Sequence, residues 1–210
     1  MTNLFTKTTG TLTSYDSSSM TDSNAAWTVD QFVGWYVYFA SENKSFLITS
    51  NTATKLVFEN DLGLGVIDYE ISFVARARLT EIESDASNTT LMSDDFLDKK
   101  YNLANHDISA KVFSYLRGQY TDDFDPLNNI KNLTSLQQVF CYFMLAKAYQ
   151  DLSINQDSFE SFKGYNMYEK SYNDGIKDAL SNLRVDLNED GNIDAEEIKN
   201  NNGSIKFLTR

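Results

Sequence analysis

The chain has 210 residues and a mass of 23.9 kDa, enough for one compact domain or two small ones. Apolar residues make up 41% and aromatics 13% of it, which is sufficient for a packed core and excludes wholesale disorder. Eighteen basic against 30 acidic residues leave a net charge of −12, the opposite of the basic face that a sequence-reading nucleic-acid binder or a protein held on anionic lipid needs. The longest apolar run, Val139 to Ala146, is too short for a membrane span. The start, Met1-Thr-Asn-Leu-Phe-Thr-Lys, lacks the pattern of a signal peptide. A single cysteine, Cys141, fits a reducing cytosol, and with one histidine beside it zinc clusters and Cys–His catalytic pairs are not expected.

In chain order, Thr9 to Asn60 reads as β. Phe32-Val-Gly-Trp-Tyr-Val-Tyr-Phe is dense in β-branched and aromatic residues; Lys44-Ser-Phe-Leu-Ile-Thr and Thr54-Lys-Leu-Val-Phe repeat the pattern, with Asn51-Thr-Ala as the turn. Ser17 to Asn24 is small and polar and reads as a loop. About four short strands would make a small sheet or barrel.

From Asp68 the period becomes helical, through Ile71, Val74, Arg78/Leu79 and Ile82. Ser93-Asp-Asp is a good start for a helix over Phe96-Leu-Asp-Lys-Lys-Tyr, and a further helix is expected from Ile108 to Tyr120, before Asp122-Asp-Phe-Asp-Pro126. Thr134 could cap an apolar helix through Leu136, Val139, Phe140, Phe143, Met144 and Ala148. A long helix then runs from about Asp157 to Val185, its stripe being Phe162, Tyr165, Tyr168, Tyr172, Ile176, Ala179 and Leu183. The fold class expected is α+β: a β module over 1–62, a helical bundle over 63–185, and a loop with a C-terminal arm over 186–210.

The one specific motif is Asp186-Leu-Asn188-Glu-Asp190-Gly191-Asn192-Ile193-Asp194-Ala-Glu-Glu197, which matches the EF-hand calcium loop. Side-chain oxygens recur at loop positions 1, 3, 5 and 9 through Asp186, Asn188, Asp190 and Asp194, because a tightly wound loop turns alternate side chains inward. Asn192 offers its main-chain carbonyl, Gly191 permits the sharp turn, and Ile193 packs the loop against the protein. Glu197 stands where one carboxylate supplies two oxygens. Crowded carboxylates repel one another unless a cation lies between them, so a Ca2+ site is expected; the alternative is an acidic helix–loop–helix corner with no ion. No second loop accompanies it, and the exit helix (Ala195 to Lys199) is short, which favours a structural staple over a sensor switch.

Weaker signals read as structural. His106 is a polar residue at a helix boundary, and Cys141 lies in an apolar helix as inert core. Asp94/Asp95 and Asp122/Asp123/Asp125 suit caps and turns better than acid–base pairs. Asn88-Thr-Thr and Asn132-Leu-Thr fit the glycosylation pattern by chance. With no phosphate loop, nucleophile elbow or basic aromatic patch, the sequence does not suggest an enzyme. In the C-terminal segment, Ile205, Phe207 and Leu208 follow an Asn-Asn-Asn-Gly breaker with strand character; they either fold back on the bundle or add to a neighbouring subunit as an arm.

Two groups of residues carry a family resemblance. Thr9-Thr-Gly-Thr-Leu-Thr, Trp27-Thr-Val-Asp-Gln31-Phe-Val-Gly34-Trp-Tyr-Val-Tyr and Ile48-Thr-Ser-Asn51-Thr-Ala-Thr-Lys-Leu-Val together resemble a small β module common in virion proteins of tailed bacteriophages. Ala146-Lys-Ala-Tyr-Gln-Asp-Leu, Tyr165-Asn-Met-Tyr-Glu-Lys-Ser-Tyr and the Val185 to Gly191 stretch resemble phage head–tail connector (adaptor) proteins, in which an apolar helix precedes a long aromatic one. The resemblance implies a virion subunit of a ring, commonly of twelve copies, assembled in the host cytoplasm. Such a ring joins the portal protein to the tail proteins, and viral DNA passes through it without sequence-specific binding. Departing from that family, the β module is not part of the minimal connector. Net-negative subunits suit a DNA passage because they avoid gripping phosphate. Two other classes stay open: a soluble calcium-binding protein with a single loop, and a virion accessory protein whose β module binds glycan.

Overall fold

The computed structural model describes residues 3–59, 68–75, 79, 82, 94–117, 129–156 and 159–186. The protein is α+β: among the described residues an antiparallel sheet precedes three long helices. Two compact units emerge, Phe5–Thr89 and Met1–Leu4 with Thr90–Arg210.

The described residues of the β unit form seven strands: β1 Thr8–Thr11, β2 Ser14–Tyr15, β3 Ser19–Thr21, β4 Tyr36–Phe39, β5 Lys44–Asn51, β6 Lys55–Phe58 and β7 Asp68–Ser72. Their order across the sheet is β1-β7-β4-β5-β6-β3-β2. Strands β1 and β2 therefore lie at opposite edges, although only Leu12 and Thr13 join them. A flat seven-strand sheet spans roughly 29 Å, which two residues cannot bridge, so the sheet curls until its edges approach. The hydroxyl of Tyr69 on β7 accordingly donates to Asp22 Oδ2, just past β3, at 2.6 Å. Strand β5 serves both halves of this curl. It pairs with β4 over Lys44–Leu47 and with β6 over Ile48–Asn51, with a bulge between Ile48 and Ser50.

Alternation fills the inside of the curl. Val37 and Phe39 on β4, Phe46 and Ile48 on β5, and Leu56 and Phe58 on β6 are buried, while Leu47 and Thr49 face out. Phe39, Phe46 and Phe58 pack together, with Phe46 and Phe58 stacked at 5.4 Å; Phe32, Trp35, Phe73 and Phe5 form a second aromatic group. Asn51 fastens the segment before β4. Its Oδ1 accepts from Phe32 N at 2.8 Å and its Nδ2 donates to Thr28 O at 2.7 Å.

Several expectations are corrected in this unit. The stretch from Asp68 is a strand, not the start of a helix: buried Tyr69 and Ile71 alternate with the less buried Asp68 and Glu70, and β7 pairs with both β1 and β4. The spacing of Ile71, Val74, Leu79 and Ile82 fits a helix only because the strand is followed by a turn; Leu79 and Ile82 themselves have helical backbone. The sheet thus continues beyond residue 62. The Ser17 to Asn24 loop contains β3, whose Met20 is fully buried. Only the second half of Phe32–Phe39 is strand, because Gly34 at φ 80° turns the chain before it. Residues 5–89 alone should therefore fold with a cooperative melting transition and a β-type circular dichroism spectrum. A fragment cut at Gly63 or Gly65 would lose β7 and should melt without cooperativity. Equal behaviour of the two fragments would overturn this assignment of β7.

In the helical unit, α1 is Asp94–Arg117, α2 is Gln137–Gln156 and α3 is Phe159–Ser181. The two expected helices at Phe96 and Ile108 are one continuous helix. Leu97, Tyr101, Ala104, Ile108, Val112 and Leu116 are all buried at steps of three or four. Polar residues hid that stripe: buried Asn105 accepts from Ser109 Oγ at 3.1 Å, and Ser109 Oγ in turn accepts from Leu4 N at 2.9 Å. His106 is consequently mid-helix and exposed, not at a boundary. Thr134 is not a cap. It sits inside a 3-10 turn, Leu133–Leu136, that leads into α2, and Asn132 precedes that turn.

Helices α2 and α3 pack antiparallel along an aromatic seam. Tyr149 stacks on Tyr168 at 5.8 Å, and Phe143 meets Tyr172 edge-on at 5.1 Å. Two glycines on α3, spaced at about three helical turns, let the backbones approach. A Cβ on Gly164 would meet the Tyr149 ring at 2.7 Å, and one on Gly175 would meet Val139 Cγ1 at 2.9 Å. Cys141 is buried in α2, as expected of inert core. Among the described residues, no helix is long and apolar enough to cross a membrane.

Candidate functional site

The calcium-loop motif begins where α3 ends. The helix stops at Ser181, earlier than the expected Val185, because a side chain from elsewhere takes over its last backbone groups. Asn132 Nδ2 donates to Asn182 O at 2.7 Å, and its Oδ1 accepts from Arg184 N at 2.6 Å. One amide thus satisfies both an outgoing carbonyl and an incoming N–H, which ends the helical ladder and turns the chain. The segment then pairs as a short antiparallel ladder. Ile130 bridges Val185, Lys131 N donates to Arg184 O at 3.1 Å, and Asp186 N donates to Asn129 O at 2.8 Å. Leu183, Val185 and Ile130 are buried beneath it. Four hydrogen bonds and three apolar side chains therefore fix the first residue of the motif.

That residue, Asp186, is only 1% exposed. A carboxylate so placed costs several kcal/mol of desolvation unless positive charge or donors compensate it. Lys131 Nζ lies 3.3 Å from its Oδ2, and the Lys131 side chain stays one-third exposed. A buried carboxylate aimed by a rigid backbone ladder, at the first position of an all-oxygen motif, fits a hard divalent cation. The other five predicted ligands, Asn188, Asp190, Asn192, Asp194 and Glu197, lie outside the described residues, as do the exit helix and the 203–210 segment.

The remaining acidic residues make structural contacts. Asp107 on α1 accepts from Tyr172 Oη and pairs with Lys111 Nζ, both at 2.5 Å. Burial, then that hydrogen bond, pushes the Tyr172 phenol well above its usual range. Lys100, itself buried, pairs with Asp151. Asp94 and Asp95 open α1, with side chains outside the described set, and the Asp122–Asp125 cluster lies outside it entirely. Among the described residues, no three His, Cys, Asp or Glu side chains converge.

Sequence reading missed Asn129, Lys131 and Asn132, the residues that hold the start of the loop. They stand about 55 positions upstream with no local pattern, and Asn132 looks like a chance glycosylation signal. No protein family, curated protein or solved structure matches the chain.

Proposed function

We propose that the protein is a structural virion subunit, a head–tail connector that assembles into a ring between portal and tail, with the 186–197 loop binding one calcium ion as a staple. The ion would be held by Asp186, Asn188, Asp190, Asn192, Asp194 and Glu197 and would neutralise carboxylates that otherwise repel. The observation that carries the connector reading is the α2–α3 pair. An apolar helix followed by a long aromatic one is the arrangement that the resemblance implies.

The pair also leaves apolar surface at one end. The seam places Tyr149 against Gly164 and Val139 against Gly175, so Ile154 in the last turn of α2 and Phe162 in the first turn of α3 lie at the same end of the hairpin. Ile154 is 74% exposed and Phe162 55%, and Met167 farther along α3 is also exposed. Phe162 belongs to the apolar stripe that is buried from Tyr168 onward, so the stripe runs on into exposed surface at this end of the pair. Large apolar groups gathered this way are what a subunit interface requires.

The test is a pair of substitutions, Ile154→Glu and Phe162→Glu. Because both side chains are exposed, the melting temperature should change by less than about 2 °C, while sedimentation should show loss of the assembled form. Retained assembly in the double variant would remove this surface from the interface.

A further inference from the structure

We propose that the exposed aliphatic patch of the β unit, Val29, Val33 and Leu47, is the second half of the ring contact, and that it receives the Ile154–Phe162 end of the α2–α3 pair from a neighbouring copy of the chain. The inference rests on the ring reading above and names what that apolar end meets. A closed ring of more than two copies is built head to tail, so every subunit needs two different, mutually complementary surfaces. One apolar patch alone could only face its own copy across a two-fold axis.

Val29, Val33 and Leu47 are 66%, 43% and 39% exposed and follow one another along β5. Leu47 faces out from the strand itself. Val33 precedes Gly34, whose N–H donates to Ile48 O at 2.9 Å, and Val29 precedes Asp30, whose N–H donates to Asn51 O at 2.9 Å. The 28–34 loop therefore continues the line of β4, which pairs with β5 only as far as Leu47. This loop is fastened in place. Asp30 Oδ1 accepts from Asn51 N at 3.2 Å, and the buried Asn51 amide holds Phe32 N and Thr28 O. Its path also requires left-handed backbone at Asp30, φ 57°, and at Gly34, φ 80°; for Asp30 that conformation is disfavoured and persists because the surrounding hydrogen bonds impose it. A fixed loop that keeps two valines in water is pre-organised for contact, since little remains to be ordered when a partner arrives.

Charge selects the partner. Across residues 27–34 and 47–52, Asp30 is the one charged residue, and its carboxylate is engaged by the Asn51 N–H. Two copies of a chain at −12 repel at close range, so they approach most readily through surface that carries little charge of its own. Among the described residues, the only other exposed large hydrophobic outside these two groups is Leu103 on α1, and a single such side chain is ordinary surface. The β5 patch and the helical end are thus the two apolar groups available to pair.

Sedimentation velocity on the full-length protein tests the pairing with two damaged variants, Val29→Glu/Val33→Glu and Ile154→Glu/Phe162→Glu. Each should stay monomeric on its own. Mixed, they should form a pair of roughly 48 kDa, twice the 23.9 kDa chain, and stop there, because the intact β5 patch of one takes the intact helical end of the other. The added negative charge cannot produce that pairing, since it makes the two variants repel more strongly. Covalent capture avoids reliance on damaged surfaces: Val33→Cys/Phe162→Cys treated with a short bis-maleimide should give a ladder of linked chains that neither single variant gives, and buried Cys141 does not compete. Unaltered assembly of the valine variant would overturn the pairing and leave the ring standing with its contact elsewhere. Two monomeric variants that fail to combine would also overturn it, as would linked dimers from Phe162→Cys alone, the mark of a two-fold contact. A wild type that assembles neither alone nor on the portal would remove the ring and the pairing together.

Discussion

Gly10→Ala should lower the stability of the β unit by about 3–5 kcal/mol, a loss of roughly 15 °C or more in its melting temperature. Gly10 on β1 stands directly across from Tyr69 on β7. A Cβ there would meet Tyr69 Oη in a severe overlap, Tyr69 Cζ at 2.6 Å and Asp22 Oδ2 at 2.8 Å. The ring cannot step aside cheaply, since it is buried, sits edge-on to Trp27 at 6.2 Å and donates to Asp22. Pushing it away breaks that bond and leaves Asp22, a residue only 5% exposed, with the Asn24 N–H on its other oxygen at 2.9 Å, so the loss of a charge-assisted hydrogen bond, about 1.5–3 kcal/mol, adds to the steric strain. The same contact closes the curled sheet, so the damage extends to β3 and β7. The Tyr69 phenol, raised far above its usual range by burial and by Asp22, is held neutral in the folded state. In a Tyr69→Ala background, where the ring is gone and the Asp22 carboxylate is free to shift into the space it leaves, Gly10→Ala should add less than about 1 kcal/mol. Chemical denaturation of the four proteins measures the coupling, and an unchanged midpoint for Gly10→Ala would contradict the close approach.

Calcium should raise the melting temperature of the helical unit by about 10 °C at a concentration a hundredfold above Kd, because binding only to the folded state adds about 2.7 kcal/mol. The stabilisation should centre on the α3 exit, where Asn132, Asn129 and Asp186 tie the loop to the 129–132 segment. Glu197→Ala removes the side chain expected to give two oxygens and should abolish most of the gain. Asp186→Ala should also abolish it, and it further leaves Lys131 without its carboxylate partner. Differential scanning calorimetry in calcium and in chelator is the measurement; coincident wild-type transitions would remove the metal from the account.

The order of the fold was legible in the residues: aromatic and β-branched runs first, helical stripes afterwards. The misses have identifiable physical causes. Strand β7 looked helical because Ile71 and Val74 are three apart, while its period-two burial depends on partners β1 and β4 that lie far away in sequence. Strand β3 is Ser-Met-Thr, too small and polar to stand out, and becomes a strand because Met20 fills the core opposite Leu56. Helix α1 was split in two because Asn105 and Ser109 occupy buried positions with each other as partners. For the site, the loop motif carries its own signature in spacing, whereas the amide clamp at Asn132 and the ammonium of Lys131 are long-range contacts that no local pattern announces. Long-range hydrogen bonds of this kind decide where a helix ends, and they override the propensity of the residues at the boundary.

If the chain is a ring subunit, as proposed above, its assembled mass should show it. Mass photometry of the full-length protein in calcium, alone and mixed with its cognate portal ring, tests it most directly. A closed ring of twelve 23.9 kDa chains has a mass of roughly 290 kDa, and that species is expected alone or as added mass on the portal. A 23.9 kDa monomer at every concentration, leaving the portal's mass unchanged, would contradict it.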